Sequence, residues 1–341
     1  MAMQGGGSGT VVVLVSARDA GIPLPNAVGS TDDGTIAFGD DAGRVVLRGL
    51  KPGPVVVRVR RIGFSPDSAR TTVTVGTTDT IRVSLPRLAL QLLKVRISDN
   101  ACRAAGYSNS DTSVARILEQ VRANAEHAES FAIAYPHQMQ LERVVMDVRA
   151  RYRGASRTAP PRGDTVRVDT LTVSGEFGST YRVGGLIRPV ENVGRDGARE
   201  RMVVPRLTDL ASPEFIEAHC FRFVGVRRAP DDSAMVQIDF RPARSVREPD
   251  VSGTIWLDTA TYQIRHTTLQ MDRPSPDFAR QDRWHTQVDS WFHTRPEGAI
   301  VVERIEAMTT VETTARNVTT RPSLEIQRLL EFHYLGASPP K

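Results

Sequence analysis

The residues best placed by type and spacing to do chemistry lie on one expected strand, Trp284 to Thr294. In a strand's period of two, His285, Gln287, Asp289, Trp291 and His293 share one face. Trp284, Thr286, Val288, Ser290 and Phe292 share the other. Imidazoles beside a carboxylate suggest metal ligation or general acid–base work. One shared ion is excluded for His285, Asp289 and His293, because four residues along a strand span about 13 Å, too far for two ligands of one metal. Two readings are left. One is a ligand-facing groove lined by His285, Asp289, Trp291 and His293. The plainer one is a solvated face with Trp291 packed on neighbouring strands. A second ligand or base would have to come from a cross-strand partner.

Signatures of common catalytic sites do not occur. There is no His-Glu-x-x-His, and His127 has Ser130 where a His-x-x-Glu pair needs its glutamate. A Gly-x-Ser-x-Gly elbow, a Gly-Lys-Ser/Thr phosphate loop and a dinucleotide fingerprint are also missing. Arg162-Gly163-Asp164 spells an adhesion tripeptide, a match too short to carry weight. The expectation is a non-catalytic protein without cofactor or metal.

Composition bounds the rest. A chain of 341 residues has room for two domains with proper cores. Its net charge of +5 is almost all arginine, since lysine occurs only at Lys51, Lys94 and Lys341. The arginines are interleaved with acids, and the densest group (Arg149, Arg151, Arg153, Arg157, Arg162) sits on one strand and the loop after it. A nucleic-acid footprint would gather such charge on one face, so no nucleic acid is expected as a partner. No apolar run approaches the roughly 18–20 residues of a membrane helix, so the chain is not expected to span a membrane with helices.

Residues 10–97 read as short strands separated by turns. Val55, Val57 and Val59 alternate with Val56, Arg58 and Arg60, while Pro23 and Pro25, Asp41 and Gly43, and Pro52-Gly53 mark turns. This spacing favours an antiparallel β-sandwich of the Ig/prealbumin-like kind. The runs Gly9 to Val15, Gly21 to Ala27, Asp40 to Arg44, Leu47 to Gly53, Arg60 to Phe64 and Ile81 to Leu85 together resemble the carboxypeptidase regulatory-like domain. That family is a transthyretin-like module, grouped with carbohydrate-binding-like folds and common in secreted and envelope proteins of bacteria. Two positions depart from its usual pattern: Val45 stands where an aromatic follows the turn glycine, and Gly29 where a β-branched residue is common. The resemblance implies attachment or binding, since the family takes its name from an accessory part of an enzyme.

After a polar linker at 98–111, Ser110, Asp111 or Thr112 can cap a helix over Thr112 to Glu129. Val114, Ile117, Leu118, Val121 and Ala125 form its apolar stripe. A second short helical turn is expected near Pro213 to His219, capped by Ser212. From Met139 to Leu335 long alternating strands follow one another with short turns, among them Pro230-Asp231-Asp232 and Pro296-Glu297-Gly298. The expected architecture of 112–336 is a curved antiparallel sheet or half-barrel covered by one α-helix, analogous to lipoprotein-carrier half-barrels. Residues 1–9 and 337–341 read as tails. Cys220-Phe221-Arg222, Ile238 to Pro242 and Gly253 to Asp258 resemble uncharacterised bacterial envelope proteins in which a regulatory-like domain precedes such a sheet.

The chain has two cysteines, Cys102 and Cys220. In a cytosolic protein they would be separate buried thiols; in an exported one they would form a disulfide. The strand-rich modules, the envelope-type first domain and the scarcity of lysine favour the bridge and a periplasmic or secreted, cell-surface location. Residues 1–9 lack the basic start and apolar stretch of a signal peptide, so export is inferred from the domain type and the cysteines alone. The functional expectation is a binding or scaffolding protein of the cell envelope. A hydrophobic or lipid-like ligand would lie in the sheet domain, where Phe221, Phe223, Phe240, Trp256, Tyr262, Trp284, Phe292, Phe332 and Tyr334 supply aromatics. The alternative is attachment to a cell-surface glycan through the sandwich, whose only aromatics are Phe38 and Phe64.

Overall fold

A computed structural model describes residues 7–88, 102, 107–108, 111–148, 163–175, 178–190, 199–229, 233–272, 282–313, 318–319 and 323–339. The arginine group at 149–162, the turn at 230–232, most of the 98–111 linker and the side chain of Trp284 lie outside them. The protein is mainly β.

The alternation in the first module builds seven strands: β1 (Gly9–Ala17), β2 (Val28–Thr31), β3 (Ile36–Phe38), β4 (Arg44–Leu50), β5 (Gly53–Arg60), β6 (Asp67–Val73) and β7 (Thr78–Leu85). They form two sheets, ordered β4–β1–β7 and β3–β2–β5–β6. Val11, Val13, Val45, Leu47, Val57 and Val59 fill the space between them. One pair departs from the antiparallel expectation, since β1 and β7 run parallel. The chain reaches β7 from β6 in the other sheet, so no hairpin forces opposite directions on the pair. The two departures from the family pattern meet in space: a Cβ on Gly29 would come within 2.8 Å of the Val45 side chain. A glycine on one sheet makes room for the valine on the other.

Helix α1 (Thr112–Ala134) starts at Asp111, whose carboxylate accepts the Ser113 N–H at 2.7 Å. It runs five residues past Glu129 and ends just before Pro136, which lacks the N–H to continue a helix. Its apolar stripe lies on the core side of a 10-stranded, wholly antiparallel sheet. That sheet contains β8 (His137–Val148), β9 (Gly163–Ser174), β12 (His219–Arg228), β13 (Ala234–Pro242), β14 (Asp250–Asp258), β15 (Ile264–Asp272), β16 (Asp282–Thr294), β17 (Ile300–Thr313) and β19 (Ser323–Tyr334). The order is β12–β13–β14–β15–β16–β17–β19–β8–β9, with β18 (Val318–Thr319) beside β17. The sheet does not close into a barrel. A separate hairpin, β10 (Ile187–Val190) and β11 (Arg199–Met202), and two short helices, α2 (Leu207–Leu210) and α3 (Pro213–Ala218), complete the unit. Ser212 caps α3 through the Phe215 N–H.

Four of the aromatics expected to line a cavity fill the interior instead. Phe221, Phe240, Tyr262 and Phe292 pack with the α1 stripe, Ile238, Ile255 and Leu257 in one core. A hollow between α1 and the sheet, beside Phe131 and Phe292, measures only about 30 Å³. That is the share of a single liquid water. Phe332 and Tyr334 belong to a different cluster, where Val28 and Phe38 of the sandwich meet Phe131 of α1 and Val301 of β17.

That cluster is part of a seam joining the sandwich to the rest. Gln120 Oε1 of α1 accepts the Gly63 N–H at 2.8 Å, and His127 donates through Nε2 to the Gly298 carbonyl at 2.8 Å. Within the helix-and-sheet unit itself, Asn124 of α1 donates to the Tyr262 carbonyl and accepts the Ile264 N–H, both at 2.9 Å. Phe38 meets His127 and Phe131 edge-on, each at 5.3 Å. Cys102 and Cys220 are joined by a disulfide.

Candidate functional site

The face of the large sheet turned away from α1 carries its polar side chains, and register places several in a single transverse row. Arg222, Asp239, Thr254, Thr268, Asp289 and Glu306 are direct partners from β12 across to β17. Each carboxylate in the row has its own donors. Asp239 accepts from Arg222, from Gln237 at 2.7 Å and from Thr254 at 3.0 Å. Asp289 accepts from His266 Nε2 at 3.0 Å and Thr268 Oγ1 at 2.7 Å on one oxygen, and from Gln287 at 2.8 Å on the other. Glu306 is paired with Arg304.

The strand alternation read from Trp284 to Thr294 is present, with Val288, Ser290 and Phe292 inward and His285, Gln287 and His293 exposed. Asp289 and Trp291 are half-buried. Cross-strand pairing adds His266 of β15, directly opposite Trp291, with the two rings stacked at 4.9 Å and 11°. Arg304 of β17 lies over the Trp291 ring, 5.6 Å from its centroid. Asp289 and Trp291 thus come together with His266, while His285 and His293 point to solvent, away from that group. Trp291 does pack on neighbouring strands. Among the described residues, no three His, Cys, Asp or Glu side chains gather as metal ligands.

The electrostatics of this group suit structure better than catalysis. Burial disfavours ionisation of Asp289, yet the hydrogen bonds from His266, Gln287 and Thr268 outweigh it and hold the carboxyl below its usual range. Such a carboxylate is a weak proton acceptor at neutral pH. His266 is oriented by Asp289 as a base would be, but its Nδ1 is buried with no hydrogen-bond partner among the described residues.

A second polar group lies deep in the core. His219 and Asp250 are both fully buried, with Nε2 and Oδ1 3.6 Å apart. Tyr181 donates to the other Asp250 oxygen at 2.7 Å, and the Val251 N–H reaches Oδ1 at 2.8 Å. Burial first, and the Asp250 contact second, push the Tyr181 hydroxyl far up, so it remains a donor. The remaining buried histidines are also engaged: His127 at Gly298, and His137 with Nδ1 2.9 Å from the Tyr135 carbonyl and its ring stacked on Phe332 at 4.7 Å. His219, Asp250, Tyr181 and His266 are not legible as partners, because strand register and tertiary placement, not local pattern, bring them together.

On the sandwich, Phe38 is buried in the seam and Phe64 lies under the Arg87 guanidinium at 5.2 Å. Neither forms part of an exposed flat aromatic strip.

No protein-family model and no curated protein matches the chain. Among solved structures it is similar to the minor pilin GBS52 of Streptococcus agalactiae, at 16% identity over 26% of this chain and 49% of that one, with a TM-score of 0.23. It is also similar to a DUF1329 family protein from Desulfovibrio piger, at 11% identity over 65% and 95% of the two chains, TM-score 0.33. A third is the Bacillus anthracis TIE protein, at 8% identity over 94% and 48%, TM-score 0.23. The chain thus spans about half the length of the pilin and of the TIE protein. At these scores the likenesses carry no functional argument. Among the described residues no helix is long and apolar enough to cross a membrane.

Proposed function

We propose that this chain is a non-catalytic, exported binding or scaffolding protein of the bacterial cell envelope. In this reading a regulatory-like sandwich at 10–97 is carried on the helix-covered sheet of 112–336. The observation that carries the proposal is the engagement of the groups best suited to chemistry by their own fold. His266 orients on Asp289, His127 holds the Gly298 carbonyl, and His219 sits between backbone carbonyls beside Asp250. The seam supports a scaffolding role, because it lets the protein present the sandwich and the polar sheet face in a fixed relation. The disulfide supports export, since such bonds persist in oxidising compartments.

The test is expression into an oxidising compartment, followed by non-reducing mass spectrometry and an activity screen. A mass two hydrogens below the dithiol form is expected, with no turnover of ester, peptide or glycoside substrates. Free thiols would overturn export. Turnover that disappears in Asp289→Asn would overturn the non-catalytic reading.

A further inference from the structure

A cleft of about 240 Å³ opens where the sandwich meets α1, bounded by Ile62, Phe64 and Leu88 on one side and Gln120 and Ala123 on the other. Its walls are largely apolar, and its charges are unequally matched. Arg60 is paired with Glu126 and reaches Ser130 Oγ at 3.5 Å. Arg122 and Glu119, one charge of each sign, lie exposed at the rim. Arg61 is left over. Its Nε donates to the Pro25 carbonyl at 2.7 Å and its Nη1 to the Ile62 carbonyl at 3.3 Å, and no carboxylate among the described residues pairs with it. His127, which also lines the cleft, is kept neutral by burial and supplies no charge.

An arginine held in a partly desolvated wall without an anion is a cost to the fold, and an oxyanion in the cleft would remove it. A second observation points the same way. Gln120 is 4% exposed, its Oε1 is taken by the Gly63 N–H, and its amide NH2 has no partner among the described residues. Arg61 and Gln120 thus line the same cleft as the apolar Ile62, Phe64, Leu88 and Ala123.

We propose that this cleft binds a small amphiphilic anion, with its oxyanion head on Arg61 and Gln120 and its apolar body against Ile62, Phe64 and Leu88. The inference rests on reading the protein as a binding protein, and names the site and ligand class within that reading.

Isothermal titration of the whole protein with octanoate, octyl phosphate and octanol tests it. At least one anion is expected to bind about tenfold or more tightly than octanol, a difference the head group alone must supply. The better of the two anions identifies the head as carboxylate-like or phosphate-like. Arg61→Leu should abolish that preference, the apolar body keeping its contacts with Ile62, Phe64 and Leu88. Ala123→Phe, which fills the cleft and leaves every charge in place, should abolish binding of all three. Equal binding of octanol, wild-type binding by both variants, or no anion bound at about 1 mM would overturn the site. None of these outcomes bears on export, which the disulfide decides separately.

Discussion

His219 and Asp250 lie fully buried in the core, with Nε2 and Oδ1 3.6 Å apart. The His219 ring faces two backbone carbonyls, Phe215 at 2.8 Å from Nδ1 and Val251 at 3.1 Å from Nε2. Carbonyl oxygens only accept, so if both contacts are hydrogen bonds both ring nitrogens carry protons and Asp250 is the neighbouring counter-charge. Asp250→Asn keeps the shape and removes that charge. Leaving one member of a buried pair alone costs about 3–5 kcal/mol, read as a lower denaturant midpoint. A loss under about 1 kcal/mol would mean that the ring is neutral and one carbonyl contact is not a hydrogen bond.

The disulfide closes a separation of 118 residues. In the chain-entropy account, a loop of this length is worth about 4–5 kcal/mol. Cys102→Ser together with Cys220→Ser should lower stability by that order in equilibrium unfolding. Reductant should lower the wild type to the level of the double variant and leave the variant unaffected.

Burial lowers the pKa of His127 from 6.5 to about 4, the Gly298 hydrogen bond opposing the shift. The folded protein therefore holds this ring neutral while the unfolded chain protonates it below about pH 6.5. The stabilisation is complete above that pH and is lost as the pH falls toward 4, by about 3 kcal/mol over the window. Carboxylates add their own acid limb, so the useful quantity is a difference. His127→Gln, which keeps a donor for Gly298 and does not titrate, should flatten the loss between pH 6.5 and 4.

Gly63 has φ of 86°, and a Cβ there would approach the Thr261 carbonyl oxygen to 2.8 Å. Gly34 has nearly the same φ, 87°, with nothing within 4 Å of such a Cβ. Gly34→Ala should cost the conformational term alone, about 1–2 kcal/mol. Gly63→Ala should cost more, the excess measuring how tightly the sandwich is seated on the sheet unit. Equal losses in calorimetry would mean that the seam yields freely.

Local patterns made much of the fold legible. The α1 stripe, the period-two strands and the Ser212 cap are written in neighbouring residues, so each could be read where it stands. Helix α1 was read short because Ser130 to Ala134 continue the helix with a weaker stripe, and only Pro136 stops it. What could not be read is what depends on register. Asp289 was singled out on its strand, but its partner His266 is set by the β15–β16 pairing. Arg61 looked like one arginine among many, and its isolation is visible only once α1 closes over it. Cys102 and Cys220 allowed two readings until the chain placed their Cα atoms 5.5 Å apart.

The bridge also lies at a particular place in the sheet. Strand β12 is the first in the order and β9 the last, and each pairs with one neighbour among the described strands. At β12 the incoming chain is fastened by the Cys220 bond, and the Ser108 N–H takes the Phe221 carbonyl at 2.8 Å. At β9, Val166 and Val168 are exposed, and among the described residues no such guard covers that edge. The two ends of the sheet are thus unequally covered among the described residues. Copies that met edge to edge through β9 would stop at a two-fold pair. Reduction would free part of the opposite edge, give every copy two sticky ends, and turn a self-limiting encounter into open-ended growth.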